Sequence, residues 1–307
     1  MRLERRWRPS VLAVPCLGLA LLLAGPRALA REQASANRQQ HALVSVLDKN
    51  NAPVTGLTAP DFTVREDDVA REVIGVAPAP APAHIVLLVD DSQSMSEAIP
   101  YLRDGLKGFI TQLSSGTPAP QIRLMTFGDR PTLRSDFTTS ASQLQKAADR
   151  IFAQSGAGSR FLEAIVETGH MLRTKRIADA AIVALVNEAS PEFSEDSRRG
   201  VEEALRASGA TLWAAVMQSP RGGGGQSTEG RERAMVLGDT TRDSGGINLM
   251  VLGAQGVASA LPTLATALAS RYDVTYGRPD RLIPPTRLAV DVRDQPATVA
   301  VRRWAPQ

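Results

Sequence analysis

A carboxylate and two hydroxyls follow one apolar run of this chain. Asp90, Ser92 and Ser94 are spaced two residues apart, directly after the apolar residues 85–89. Five unbroken apolar residues are typical of a central parallel strand that is covered on both faces. Open parallel sheets bind ligands outside the carboxyl ends of their strands, where the winding order reverses. The loop therefore offers hard oxygen ligands, which suit Mg²⁺, Ca²⁺ or Mn²⁺, where such a sheet binds ligands.

The residues that must position this loop alternate between strand and helix patterns. This alternation predicts an α/β fold with a doubly wound, mostly parallel, Rossmann-like sheet over residues 84–271. Apolar runs predict strands over 85–89, 121–127, 181–186, 212–217 and 247–252, with an extended return over 131–137. Helical periodicity predicts helices over 99–113, 144–152, 161–172, 201–207, 233–240 and 261–270.

Both flanks of this domain have β patterns. Residues 41–77 predict a small β module, and the acidic run 66–68 predicts a hairpin turn within it. Residues 78–83, rich in proline and alanine, predict a stiff connector. The alternating residues of 272–307 predict further β segments outside the core. We expect the two flanks to pair with each other and to form one composite module.

The amino-terminal segment predicts export. Residues 1–30 combine a basic start, an apolar run and a small-x-small cleavage signal, which is typical of a Sec-type signal peptide. We expect residues 31–40 to be disordered, the product to be secreted or periplasmic, and no membrane span to remain after cleavage. The only cysteine, Cys16, lies inside the signal, so the exported chain has no disulfide.

The charge of the exported chain argues against nucleic acid as a partner. Residues 1–30 hold five arginines and one glutamate, a net +4, whereas the whole chain has +3. The remainder is close to neutral at −1, so the basic character belongs to the targeting segment. Without a basic surface, nucleic-acid binding has no electrostatic driving force.

Four segments, taken in order, resemble the von Willebrand factor type A domain family over residues 84 to 276. The run 85–95 is similar to the first strand and metal-binding loop of that family. Residues 124–129 are similar to its second-strand turn, 158–165 to its second metal loop, and 244–246 to its late Thr-Gly-Gly turn. The flanking segments 54–57 and 61–67 resemble a bacterial subgroup first described from Acidobacteria.

The resemblance implies a divalent-cation site, of Mg²⁺ or a similar ion, built from three loops. It carries over to Asp90, Ser92 and Ser94 in the first loop, where the serines are direct ligands and the aspartate acts through water. Ser159 stands where the family has threonine and keeps the hydroxyl. In the third loop, Asn187 and Glu188 replace the usual Asp-Gly, which removes one negative charge.

The lost charge leaves two interpretations of the site. A charge a few ångströms away is worth on the order of a few kcal/mol, so its loss weakens binding by one or more orders of magnitude. One interpretation keeps a weak cation site. The other is a degenerate site, in which Asp90 and the serines hold the loop by hydrogen bonds to backbone amides.

The family resemblance implies recognition of another protein, in which an acidic side chain of the partner completes the shell of the ion. The alternative is a structural subunit of a cell-envelope assembly with a vestigial metal loop. We expect no enzyme activity, because neither the serines nor the three histidines form a catalytic or zinc-binding pattern. The glycine-rich residues 221–230 lack the lysine of a phosphate-binding loop, which favours a flexible loop.

Overall fold

The computed structural model describes residues 39–218, 227–278, 285–293 and 296–304. The predicted signal peptide, residues 31–38 and most of the glycine-rich segment lie outside the described residues. Contacts group Gln40–Gln307 into one compact unit. Among the described residues, no helix is long and apolar enough to cross a bilayer.

The main domain contains one six-stranded sheet, ordered β10-β9-β8-β5-β6-β7. Its strands are β5 (His84–Val89), β6 (Gln121–Thr126), β7 (Thr132–Thr138), β8 (Ala180–Asn187), β9 (Thr211–Gln218) and β10 (Asn248–Leu252). All neighbours are parallel except β6 and β7, which are antiparallel. This confirms the doubly wound, mostly parallel sheet predicted from the sequence, and each strand lies within a few residues of its predicted position.

Seven helices accompany the described sheet. They are α1 (Ile99–Ser114), α2 (Ala141–Asp149), α3 (Phe161–Thr174), α4 (Arg198–Ser208), α5 (Thr228–Met235), α6 (Thr241–Ser244) and α7 (Gly253–Ala269), and a π-helical segment, Val236–Thr240, joins α5 to α6. α1, α2 and α7 cover one face of the sheet, while α3 and α4 cover the other. The sheet is therefore buried on both sides.

The unbroken apolar run of β5 reflects its two buried faces. Ile85, Leu87 and Val89 pack into the cluster beneath α1 and α7. Val86 and Leu88 point the other way and pack against α3. Successive side chains of a strand alternate between faces, so a strand covered on both sides needs apolar residues at every position.

The strand order places a switch point next to β5. The chain leaves β5 for β6 on one side and later returns to β8 on the other side. The loops after β5 and β8 therefore diverge and leave a crevice at the carboxyl ends, which is where such sheets bind ligands. Asp90 begins one of these loops, and Asn187 ends the strand that leads into the other.

The strands of the two flanks pair with each other, as expected, and they form two small sheets. Strands β1 (Gln39–Leu47), β4 (Val73–Ala79), β11 (Arg271–Gly277) and β13 (Thr298–Val301) form a sheet in the order β13-β1-β11-β4, while β2 (Phe62–Glu66), β3 (Val69–Arg71) and β12 (Leu288–Val292) form another in the order β12-β2-β3. β11 pairs with β4, and β12 pairs with β2, so carboxyl-terminal strands pair with amino-terminal ones.

The boundaries of the flanks differ from those expected in two places. β1 begins at Gln39, inside the segment 31–40 that we expected to be disordered. β4 runs through Pro78 to Ala79, the first two residues of the expected connector, and pairs there with Tyr272 and Arg271. Proline lacks an N–H group, but β4 lies at the edge of its sheet, which is where sheets accept proline.

A buried glutamate links three strands of the composite module. Glu66, at the end of β2, accepts hydrogen bonds from the Tyr276 hydroxyl at 2.9 Å, Arg278 Nε at 2.7 Å and Arg71 Nε at 2.9 Å. Burial acts to raise the pKa of Glu66, but these hydrogen bonds outweigh it and hold the pKa below its ordinary value. Asp67 and Asp68 have φ values of 47° and 63° and form the predicted hairpin turn between β2 and β3.

We predict that alanine at Gly246 destabilises the fold strongly. A Cβ there would lie 1.8 Å from the Leu212 carbonyl oxygen, which is backbone and cannot move aside. We expect a loss of about 3 kcal/mol or more in the free energy of unfolding, measured by urea denaturation. Gly238→Ala is the control, because nothing lies within 4 Å of its added Cβ. Equal stability of the two variants would contradict this packing.

Candidate functional site at the carboxyl ends of the central strands

Asp90 joins the first loop to the third. Its side chain is fully buried directly after β5. One carboxylate oxygen accepts the N–H of Ser92 at 2.9 Å. The other accepts the N–H of Asn187 at 3.2 Å and the hydroxyl of Ser190 at 2.8 Å. Burial raises the pKa of Asp90, although its hydrogen bonds with Ser92, Ser190 and Asn187 oppose that rise.

The two serines of the first loop have different environments. Ser92 is buried, and its hydroxyl lies 2.8 Å from the hydroxyl of Ser190. Ser94 is exposed, and its backbone carbonyl accepts a hydrogen bond from the Asn187 side-chain amide at 2.8 Å. The amide oxygen of Asn187 accepts the N–H of Ala189 at 2.9 Å. Both polar atoms of the Asn187 side chain are therefore engaged within the loops.

Ser159, in the second loop, is joined to the third loop rather than to Asp90. Its N–H donates to the Pro191 carbonyl at 2.7 Å, and its hydroxyl donates to Glu192 Oε2 at 2.9 Å. The other carboxylate oxygen of Glu192 accepts the N–H of Phe161 at 3.0 Å and the hydroxyl of Ser194 at 2.5 Å. Glu192 thus fixes the turn that opens α3.

A buried arginine supplies positive charge beneath the third loop. Arg233, on α5, donates to the Ser190 carbonyl at 2.6 Å and to the Glu188 carbonyl at 2.9 Å. Its guanidinium lies 3.6 Å from Glu192 Oε2, and both side chains are almost fully buried. Burial raises the pKa of Glu192, while Ser194, the positive charge of Arg233 and Ser159 oppose the rise.

The carboxylate of Asp91 does not replace the negative charge that Asn187 lacks. Its carboxylate accepts the N–H of Gly128 at 2.7 Å, Arg134 at 2.9 Å and the Gln154 amide at 2.8 Å. These contacts tie the first loop to the turn after β6 and to the segment before the second loop. The second carboxylate of the first loop is therefore committed to holding the loops together.

The structure brings all five predicted site residues to adjoining loops or, for Asn187, to the strand end that leads into one. They are connected by different kinds of contact. Asp90 bonds the backbone of Ser92 and Asn187 directly, Ser94 takes part through its carbonyl, and Ser159 is joined through Glu192. The sequence reasoning missed Ser190, Glu192 and Arg233. For the first two a signal was present, because Ser190, Glu192 and Ser194 are spaced two residues apart after β8, like the residues of the first loop.

This donor set does not fit a tightly held divalent ion. Charge count sets the affinity of oxygen sites, and the third loop presents an amide whose oxygen is already bonded. Of the three buried carboxylates of these loops, Asp90 and Asp91 each accept three internal hydrogen bonds, and Glu192 faces Arg233. Among the described residues, no group of three or more His, Cys, Asp or Glu side chains is arranged to hold a metal.

Comparison with protein families agrees with the fold and with the order of the loops. Residues 85–189 match the model of the von Willebrand factor type A domain. The match begins at the second residue of β5 and ends near the start of the third loop, so it spans the first two loops of the candidate site. A search of curated protein sequences finds no match.

Three solved structures are among those similar to this chain. A von Willebrand factor type A protein from Catenulispora acidiphila is 11% identical, with a TM-score of 0.46, and the similarity covers 88% of this chain and 74% of that one. BatB from Bacteroides thetaiotaomicron is 13% identical (TM-score 0.44, covering 61% and 98%). The vWF domain of the pili tip protein Mfa5 from Porphyromonas gingivalis is 11% identical (TM-score 0.47, covering 62% and 96%).

We predict that Ser190→Ala destabilises the protein by about 1–3 kcal/mol, because it removes a buried donor to Asp90 and the hydroxyl partner of Ser92. Urea unfolding measures the change. Ser259→Ala, an exposed serine of α7, is the matched control and is expected to change the stability by less than about 0.5 kcal/mol. If Ser190→Ala were as harmless as the control, the hydroxyl would not hold the loops.

Proposed function

We propose that this is an exported protein whose type A domain recognises another protein through the loops at the carboxyl ends of its central strands. Type A domains commonly serve in protein interaction, and the family match supports this class of function. Export is supported by the signal-peptide pattern of residues 1–30, and a secreted or periplasmic location follows from it. Membership of the Acidobacterial-type subgroup is supported by the similarity of segments 54–57 and 61–67 alone.

The observation that carries this proposal is an exposed aromatic side chain on a fixed loop. Phe193 directly follows the buried Glu192, yet 54% of its surface is exposed. Its N–H donates to the Ser159 carbonyl at 2.8 Å, and its ring lies so close to Gly158 that a Cβ there would come within 2.4 Å. The aromatic is held in place before any partner arrives, which lowers the entropic cost of binding.

The loops at the carboxyl ends of the central strands, called the rim from here on, have further features that suit a protein partner. Phe152, which lies between α2 and the second loop, is 63% exposed, and the guanidinium of Arg103 stacks 4.4 Å from its ring. A cleft lined by Pro191, Ser194 and Glu232 opens beside Phe193. Aromatic and arginine side chains dominate the binding energy of protein interfaces. We assign the binding energy to these side chains and not to an ion.

The internal contacts of these loops bear on whether partner recognition needs a divalent cation. In the mechanism implied by the family resemblance, an acidic side chain of the partner completes the shell of the bound ion. Here the third loop is stabilised by Arg233 and by Asp90, and neither of these arrangements requires an ion. We therefore propose that partner recognition does not depend on Mg²⁺ or Mn²⁺.

A structural subunit of an envelope assembly is the second candidate, and the edge of the main sheet favours it. Among the described strands, β10 pairs with β9 alone, and it carries Met250 and Leu252, which are 49% and 81% exposed. An edge strand with exposed apolar side chains can pair with a strand of another chain. In this candidate the metal loop is vestigial, and the assembly forms through β10.

We predict that Phe193→Ser abolishes capture of the partner from a fraction of cell envelope and medium, because it removes the aromatic at the rim. Ile74→Ser is the matched control, since Ile74 is 48% exposed but lies on β4. Capture by the wild-type chain should be the same with and without a chelator. Calorimetry with Mg²⁺ and Mn²⁺ should show no saturable heat in the millimolar range.

Three outcomes separate the candidates. Loss of capture in both Phe193→Ser and Ile74→Ser, or in neither, would contradict binding through the rim. Loss in Leu252→Ser with retention in Phe193→Ser would favour assembly through β10. Capture that a chelator abolishes, together with Mg²⁺ heat that vanishes in Asp90→Ala, would restore the cation-dependent mechanism.

A further inference from the structure

A cavity of about 190 Å³ lies at the other end of the main sheet, between its amino ends and the composite β module. Asp179, just before β8, and Thr211, the first residue of β9, line one side. Val301, at the end of β13, and Arg302 line the other side. This cavity is separate from the loops after β5 and β8, so its role does not depend on the proposed function.

The charges around the cavity do not balance. Arg271 is paired with Asp179 through two hydrogen bonds of 2.7 and 3.0 Å. Arg302 also lines the cavity, and none of the carboxylates that the structure describes forms an ion pair with it. Its hydrogen bond goes to the Gly209 carbonyl, which is neutral. Among the residues that the structure describes, the guanidinium of Arg302 therefore lacks a counter-charge.

The Nε atom of Arg302 is buried and has no hydrogen-bond partner in the described part of the chain. An arginine has five N–H donors in a fixed fork, and a buried donor without an acceptor is costly. A largely buried cation that has no counter-charge is costlier still. Burial lowers the pKa of Arg302, against the opposing charge of Asp179, as expected for a cation that is desolvated without full compensation.

The remaining walls of the cavity limit what can bind. Trp213, Leu268 and Val301 contribute apolar surface next to Arg302. The volume of about 190 Å³ is smaller than the ~300–1,000 Å³ of pockets for drug-sized ligands. The walls and the size suit a short apolar group that carries one negative charge, whereas inorganic phosphate would leave the apolar wall without a partner.

We propose that this cavity binds a small organic carboxylate, with the guanidinium of Arg302 as its charge partner. The planar fork of a guanidinium matches the two oxygens of a carboxylate and binds them through paired hydrogen bonds. The carboxylate has two possible sources, a free organic acid and the carboxyl-terminal residue of a polypeptide. Both present the same head group next to an apolar body.

Calorimetry on the whole chain tests the proposal with two acids and their amides. Hexanoate stands for a free acid and N-acetyl-leucine for a polypeptide terminus. At least one of the two acids should give saturable heat, and which one does so identifies the source of the carboxylate. Hexanamide and N-acetyl-leucinamide should give none. Arg302→Met should weaken binding of the acid tenfold or more, because it removes a charge-assisted hydrogen-bond donor. Arg199→Met, an exposed arginine on α4, should leave it unchanged.

The outcomes are distinct. Binding of hexanoate assigns the cavity to free acids, and binding of N-acetyl-leucine alone assigns it to polypeptide termini. The proposal is overturned if neither acid binds, if the amides bind as well as the acids, if Arg302→Met binds like the wild type, or if inorganic phosphate is the only anion that binds. Should Arg302→Met fail to fold, the comparison of acids with amides on the wild-type chain still decides.

Discussion

The rim of this protein depends on the hydrogen bonds of one buried carboxylate. Asp90 accepts the N–H groups of Ser92 and Asn187 and the hydroxyl of Ser190, so it holds the loops that leave two neighbouring strands. Parallel strands that wind in opposite directions leave a crevice at this point. The carboxylate spans that crevice from within, and the exposed Phe193 is held on the loop that it fixes.

Asn187 and Arg233 both make the third loop less negative than the family resemblance led us to expect. Asn187 has lost the negative charge that the family resemblance led us to expect, and its side-chain amide instead bonds the carbonyl of Ser94. Arg233 supplies a permanent positive charge beneath the same loop and faces Glu192. An amide in place of the expected carboxylate and a fixed cation beneath the loop both disfavour the binding of a divalent ion. The loops are pre-organised by internal contacts, which suits recognition through their surface.

The sequence could predict the sheet and the first loop because both depend on local patterns. The run 85–89 is apolar at every position since both faces of β5 are covered, and the loop follows at once. Pairing of the two flanks was predictable from their alternation, but the extent of β4 through Pro78 was not, because only its edge position makes proline acceptable there. The helix α7 begins at Gly253, ahead of the predicted start at Leu261, because small residues and Pro262 hide its amphipathic pattern.

The part of the site that sequence reasoning missed is held by long-range contacts. Arg233 reaches the third loop from a helix that begins after a further strand, and no local pattern predicts that contact. Glu192 was open to detection by its spacing with Ser190 and Ser194. Its role as the link to Ser159 requires the tertiary structure, because the two residues meet only when the second and third loops lie side by side.

The most direct test is the free energy of unfolding of the wild type and Asp90→Ala, each measured by urea denaturation in chelator and in millimolar Mg²⁺. If internal hydrogen bonds hold the rim, Asp90→Ala loses about 3 kcal/mol or more under both conditions, since several buried donors lose their acceptor. Mg²⁺ then leaves the wild type unchanged. A wild type that Mg²⁺ stabilises, together with an Asp90→Ala variant that equals it in chelator, would contradict this account.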